Sequence, residues 1–296
     1  MADDELQEVR DNFYVGNFQK ALQLCESTPA SNDVAQNELN AILARCCLSI
    51  PLVDRLKAMS NSESPGQKAA ALMAMITKSK NEQAVASAKE KLADLSAKSH
   101  DMSCAMLHAI CLAMDGSYHD AAQLTKAHPT NEMTSLRIFL YLSCNQFSMA
   151  EKALKDMSSG DDSAALRLAT AAVKLATGDP EEAYLTYCDL SSQYPPGDGE
   201  DAESGSVQLQ TGKALANMMR GMHGEAMEDL QRAFAVAPKD PDVLVNMAAC
   251  STHLGKRDDF KKHYADLERV CPTHPYIVKT QSISTAFTRF KASLTA

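Results

Sequence analysis

The sequence predicts an all-α fold built from repeated helical hairpins, and three observations predict it. Strong helix formers (Ala, Leu, Met, Lys, Gln and Glu) recur along all 296 residues, whereas Gly and Pro number only 12 and 11. No stretch alternates Val, Ile and Thr in the period-two pattern of a strand. A short element also recurs, in which a small residue is followed five residues later by Ala.

That element punctuates the chain in order. It reads "GNFQKA" at 16–21, "GSYHDA" at 116–121, "NQFSMA" at 145–150, "GDPEEA" at 178–183, "GMHGEA" at 221–226 and, with Phe for Ala, "GKRDDF" at 255–260. Degenerate turns fall at "IPLVDRL" from Ile50 and near Ser79. The small residue ends one helix, since Gly tolerates φ > 0, and the Ala lets the second helix approach the first closely. A proline then closes the unit: Gly178 to Pro195, Gly221 to Pro238 and Gly255 to Pro272 each span 17 residues. Proline cannot continue a helix and resets the chain direction. The step from Gly221 to Gly255 is 34 residues, as is that from Gly16 to Ile50. Within the unit around Gly221 the late positions are Ala226, Leu230, Ala233 and Pro238; in the next they are Phe260, Tyr264, Leu267 and Pro272.

These offsets match the tetratricopeptide pattern, a helix–turn–helix of about 34 residues. A single unit cannot bury its own apolar face, so neighbours stack into a superhelical α-α solenoid. We expect one solenoid over 1–296, with about eight helical hairpins and a final helix from roughly 276 to 292. One step breaks register: Gly178 to Gly221 is 43 residues, and the excess falls at "PPGDGEDAESG", 195–205. This acidic, turn-rich stretch predicts a solvated loop insertion.

Composition excludes several functions. The net charge is −9, and no Lys/Arg-rich run interleaves with aromatics, so no nucleic-acid footprint is visible. The charge sign also disfavours direct binding to anionic lipid. Nine scattered cysteines do not form a secreted disulfide framework. The acidic "MADDELQEVRDNFYVG" start has no apolar signal region, and no window is long and apolar enough to span a membrane. A cytosolic, reduced protein is expected.

One constellation invites a chemical reading. Cys250 and His253, then Cys271 and His274, resemble two halves of a zinc site, with His263 between them and "GK" at 255–256 hinting at phosphate. In the repeat frame, Cys250 and His253 lie near the end of the first helix of a hairpin, while His263 and Cys271 lie on the second helix, with Cys271 and His274 near the opposite end from His253. His263 and Cys271 are 8 residues apart, about 12 Å along a helix. Zinc needs its ligands about 2.0–2.3 Å from one ion. "HLGK" also lacks the upstream glycine of a phosphate loop. No G-x-S-x-G or H-E-x-x-H is present, Cys46-Cys47 has neither redox nor metal spacing, and His108 stands alone. The carboxylates of "GDDS" 160–163 and "KDPD" 239–242 fall at turns, where Asp caps the next helix. No catalytic, cofactor or metal residues are expected.

A solenoid without chemistry is a binding scaffold that holds an extended partner segment on its concave face, which the first helix of each hairpin lines. The frame places Met106, Ile110, Phe139, Leu142, Leu168, Ala172, Leu175, Leu215, Met218, Val245, Ala249 and His253 on that face. Most are apolar. Co-chaperone domains of this class clamp a terminal carboxylate with basic residues; here Asn246 has no such cluster around it.

Three stretches carry a family resemblance. "DNFYVGNFQKAL" at 11–22, "LATAAVKLATGDPEEAY" at 168–184 and "LVNMAACSTHLGK" at 244–256, followed by "HPYI" at 274–277, resemble the coatomer epsilon subunit family in order and spacing along essentially the whole chain. This sequence departs from it in having no tryptophan; Ala172 stands where some relatives carry Trp. The resemblance implies a solenoid curled into a bracelet around the C-terminal region of the coatomer alpha subunit. It implies a structural, non-enzymatic role in the COPI vesicle coat of retrograde Golgi-to-ER and intra-Golgi transport, peripheral on Golgi membranes through the assembled coat.

Overall fold

The computed structural model describes residues 5–157, 162–195 and 206–294; the acidic insertion read at 195–205 falls almost entirely outside them. The described residues form seventeen α-helices and no strand. The first sixteen pair in sequence: α1 (Gln7–Tyr14) with α2 (Phe18–Ser27), α3 (Asp33–Ser49) with α4 (Val53–Met59), α5 (Pro65–Lys78) with α6 (Glu82–Lys98), and α7 (Met102–Met114) with α8 (Tyr118–Lys126). Then come α9 (Asn131–Ser143) with α10 (Phe147–Lys155), α11 (Ala164–Thr177) with α12 (Pro180–Gln193), α13 (Val207–Met219) with α14 (His223–Val236), and α15 (Pro241–His253) with α16 (Arg257–Val270). The last helix is α17 (Pro275–Leu294).

The repeat residues do what their chemistry predicts. Gly16, Gly116, Gly178, Gly221 and Gly255 all have positive φ, and so does Asn145, which takes the glycine's place in its turn. The alanines five residues on, Ala21, Ala121, Ala150, Ala183 and Ala226, are all fully buried. The small side chain lets the second helix lie close to the first. Pro195, Pro238 and Pro272 each follow the end of a second helix by two residues. Proline also opens α5, α12, α15 and α17, where its fixed φ suits the first turn.

Capping follows the chemistry with one correction. Asp240 accepts from the backbone N–H of Asp242 and Val243 (2.9 and 3.1 Å), as "KDPD" predicts. In "GDDS" the cap is not an aspartate but Ser163, whose Oγ accepts from Leu166. Ser163 is the residue immediately before α11, so its hydroxyl reaches the N3 amide and the aspartate before it is one position too early.

A long-range contact ties the start of the chain to its second half. α1 packs on α11 as well as on its own neighbours. The buried Asp11 carboxylate accepts from the backbone N–H of Ala164 (2.8 Å), the first residue of α11, from the Tyr194 hydroxyl (2.8 Å) and from Gln7 (3.0 Å). An anion at a helix N-terminus meets unpaired N–H groups and the positive end of the macrodipole. Asn17 donates to the Tyr194 carbonyl (2.9 Å), and Ser206 donates to the Val15 carbonyl. Val15 shares one apolar cluster with Leu168, Leu190 and Leu209. The first hairpin is thereby fixed to the sixth and seventh.

Candidate partner-binding groove

First helices of several hairpins converge on one cavity of about 260 Å³. Met106 and Ile110 of α7, Phe139 of α9 and Leu168 of α11 line it, four of the twelve positions the repeat frame selects. Met106 and Leu168 are nearly buried beneath it, whereas Phe139 is 42% exposed and offers its ring. The remaining eight lie elsewhere. Leu142, Leu175, Met218 and Val245 pack onto the apolar clusters between helices. Ala172 and Ala249 are half-buried, and Leu215 is exposed on α13. His253 is exposed at the end of α15 and stacks on His223, ring centres 4.5 Å apart.

The Cys/His constellation is dispersed by the hairpin. The buried Cys250 thiol donates to the His223 carbonyl (3.1 Å), His263 is buried on α16, and Cys271 caps that helix. Among the described residues no group of three His, Cys, Asp or Glu could hold a metal ion.

Sequence reasoning missed the polar part of the cavity. Tyr14, Arg45 and Glu132 come together there from α1, α3 and α9. Arg45 is buried, its guanidinium lies 4.7 Å from the Phe13 ring centre, and one terminal nitrogen is 3.0 Å from the Met106 sulfur. Its Nε, the Tyr14 hydroxyl and both Glu132 carboxylate oxygens are buried and make no well-formed hydrogen bond, although the three groups stand close enough to act on one another. Burial, reinforced by Glu132, pushes the Tyr14 phenol well above its ordinary pKa, so it stays protonated. Burial works against the Arg45 charge, but the Glu132 carboxylate beside it favours that charge, and its pKa ends raised. A lone charge in the apolar run "AILARCCLSI", 41–50, was the available signal.

The cavity is largely apolar, with Tyr14, Arg45 and Glu132 as its polar part. It suits a segment that brings apolar side chains and a few polar groups. The architecture around it defines a tetratricopeptide-type solenoid. Two solved structures share that fold: the APC/C hetero-tetramer Cut9–Hcn1 (TM-score 0.62, 12% identity, over 94% of this chain and 54% of that one), and a tetratricopeptide repeat protein from Parabacteroides merdae (TM-score 0.57, 14% identity, over 89% and 96%).

The model of the coatomer epsilon subunit family matches residues 2–295, and the chain belongs to that family. Among curated relatives it is 28% identical over 292 residues to coatomer subunit epsilon-2 of Arabidopsis thaliana, covering 97% of this chain and 95% of that one. Coatomer subunit epsilon-1 of Oryza sativa subsp. japonica is 27% identical over 290 residues, covering 97% and 96%. The probable coatomer subunit epsilon of Schizosaccharomyces pombe is 26% identical over 254 residues, covering 85% and 82%. The family is one of structural subunits of the coatomer coat, not of enzymes. No helix among the described residues is long and apolar enough to cross a membrane.

Proposed function

We propose that this coat subunit holds a segment of the C-terminal region of the coatomer alpha subunit along its concave face, and stabilises that subunit in coats carrying retrograde Golgi-to-ER and intra-Golgi traffic. The bracelet that the family resemblance implies is the shape that would enclose such a segment, with the first hairpin's attachment to the sixth and seventh as its internal brace. The chain would then reach Golgi membranes and COPI-coated vesicles only through the assembled coat.

The observation that carries this reading is the cavity beneath Phe139. Buried polar atoms without partners are uncommon, because each costs about 1–3 kcal/mol. Three side chains in one apolar cavity carry such atoms here. A bound backbone segment supplies the N–H and C=O groups that Glu132 and Arg45 lack, while its side chains cover Phe139 and Ile110. Co-expression with the C-terminal region of the coatomer alpha subunit, followed by gel filtration, tests the reading. A co-eluting 1:1 complex is expected; separate elution of two folded proteins overturns it.

A further inference from the structure

Helix α17 presents an apolar seam that nothing among the described residues covers. Its packing contacts lie in its first two turns. Ile277 is fully buried against Leu244 and Leu267, Tyr276 lies 6.3 Å ring to ring from Tyr264, and Gln281 donates to Glu268 (3.0 Å). From Gln281 to Leu294 every residue is exposed. In that stretch Ile283, Phe287, Phe290 and Leu294 are 70, 67, 60 and 71% exposed. A folded protein seldom leaves four large apolar residues so open on one helix face.

The repeat frame shows which face this is. Pro275 lies 34 residues after Pro241, so α17 takes the place of a first helix, one unit beyond α15. Val243 and Ile277 then correspond, and both are fully buried against the preceding hairpin. Leu215, Ala249 and Ile283 follow one another at 34-residue steps, and Phe287 follows His253. The exposed seam is therefore an extension of the inward line of first helices. It is not the face that would receive a second helix, where Val278, Ser282 and Thr285 lie.

Spacing and charge select the occupant. Tyr276, Thr280, Ile283, Phe287, Phe290 and Leu294 are separated by 4, 3, 4, 3 and 4 residues, the a/d alternation of a helix-pairing seam. The stripe is narrow, unlike the broad apolar face of a helix lying in a lipid interface. Between Pro275 and Leu294 the chain has Lys279, Arg289 and Lys291 and no Asp or Glu, although the whole protein carries −9. Lys279 and Lys291 fall beside the seam, at the flanking g and e positions. A second copy of α17 would bring like charges together with no acid to meet them.

We propose that α17 is a docking helix for an amphipathic α-helix of another protein, whose apolar heptad seam is flanked by Asp and Glu. The seam continues the inward face, but no residue of α17 lines the cavity beneath Phe139, so the peptide test reads the seam whether or not that cavity is filled.

The test uses the full chain and three probes, read by fluorescence anisotropy up to millimolar peptide. The first is a labelled three-heptad peptide with Leu at a and d and Glu at e and g; the second is its counterpart with Lys at e and g. The third is a vesicle containing phosphatidylserine. The acidic peptide binds, the basic one binds at least about tenfold more weakly, and added salt narrows that gap. Phe287→Asp with Phe290→Asp reduces binding of the acidic peptide by about a hundredfold or more, as loss of two seam aromatics requires. Both residues are exposed, so an unchanged circular dichroism melt shows that the variant is folded; Phe287→Leu with Phe290→Leu retains binding and guards against a folding artefact. No binding of the acidic peptide, equal binding of both peptides, preferential binding to the vesicle, or dimerisation of the chain through α17 in sedimentation overturns the proposal.

Discussion

Replacing Asp11 with Ala should detach the first hairpin from α11 and leave the other hairpins stacked. The buried carboxylate receives the Ala164 N–H and the Tyr194 hydroxyl, each at 2.8 Å, and the Gln7 amide at 3.0 Å. Hydrogen bonds to a charged group contribute about 1.5–3 kcal/mol each, and the Gln7 bond, nearer the surface, contributes less. Truncation also strands a helix N-terminal amide and a partly buried phenol. Tyr194 remains a donor throughout, because burial, and then Asp11 itself, raise its pKa far above the ordinary phenol value. Relief of carboxylate desolvation offsets part of the loss, leaving about 2–4 kcal/mol. Asp11→Asn keeps one acceptor oxygen and should cost about half as much. In a solenoid each unit leans on its neighbours, so the loss should be local. Hydrogen exchange read by mass spectrometry is the suitable assay. Exchange in 7–27 should accelerate by a factor of about 30 or more, as 2 kcal/mol requires, with 223–270 unchanged. Exchange in 7–27 within about twofold of the wild type would refute the reasoning.

Three further perturbations test the fold. A Cβ on Gly212 would lie 2.6 Å from the Tyr187 ring, so Gly212→Ala should lower stability by about 1–3 kcal/mol in urea denaturation. Gly178 has φ 89° and open space where a Cβ would go, so Gly178→Ala should cost only the backbone strain of about 1–2 kcal/mol, and Gly178→Asn less, by thermal melting. Burial holds the His108 imidazole below its ordinary pKa; burial, with Lys262 nearby, does the same to His263. The unfolded chain then takes up protons first, near pH 6.5, and stability falls as pH drops through and below that value. The urea midpoint should therefore decrease from about pH 7.5 to about pH 5.5, and His108→Gln with His263→Gln should flatten that slope.

The repeats were legible because each mark has a local cause. A glycine with positive φ, an alanine at a close helix crossing and a proline after a helix are fixed within a few residues, and a 34-residue spacing repeats them. The groove was only partly legible, because a position on a first helix can face either the cavity or the next hairpin. Phe139 and Ile110 fell on the cavity side; Leu142 and Met218, chosen by the same frame, turned to the inter-helix clusters. Arg45 and Glu132 were invisible as a pair, since they are 87 residues apart and only the superhelical turn brings them together. The clasp at Asp11 was hidden for the same reason: its partner amide is 153 residues away. Gly212 carried no turn signal, and its purpose emerges only with Tyr187 against it.

The central claim, that the inward face of the first helices binds the C-terminal region of the coatomer alpha subunit, is tested most directly by titration calorimetry with matched variants. Phe139→Asp with Leu215→Asp places charge on two exposed positions that the repeat frame assigns to the inward face, and Leu185→Asp does the same at an exposed position of the second helix α12. Loss of two apolar contacts of about 1.5–3 kcal/mol each predicts a fall in affinity of a hundredfold or more for the inward pair. The α12 variant should bind as the wild type does. Equal affinity of all three proteins, or loss confined to Leu185→Asp, would contradict the account.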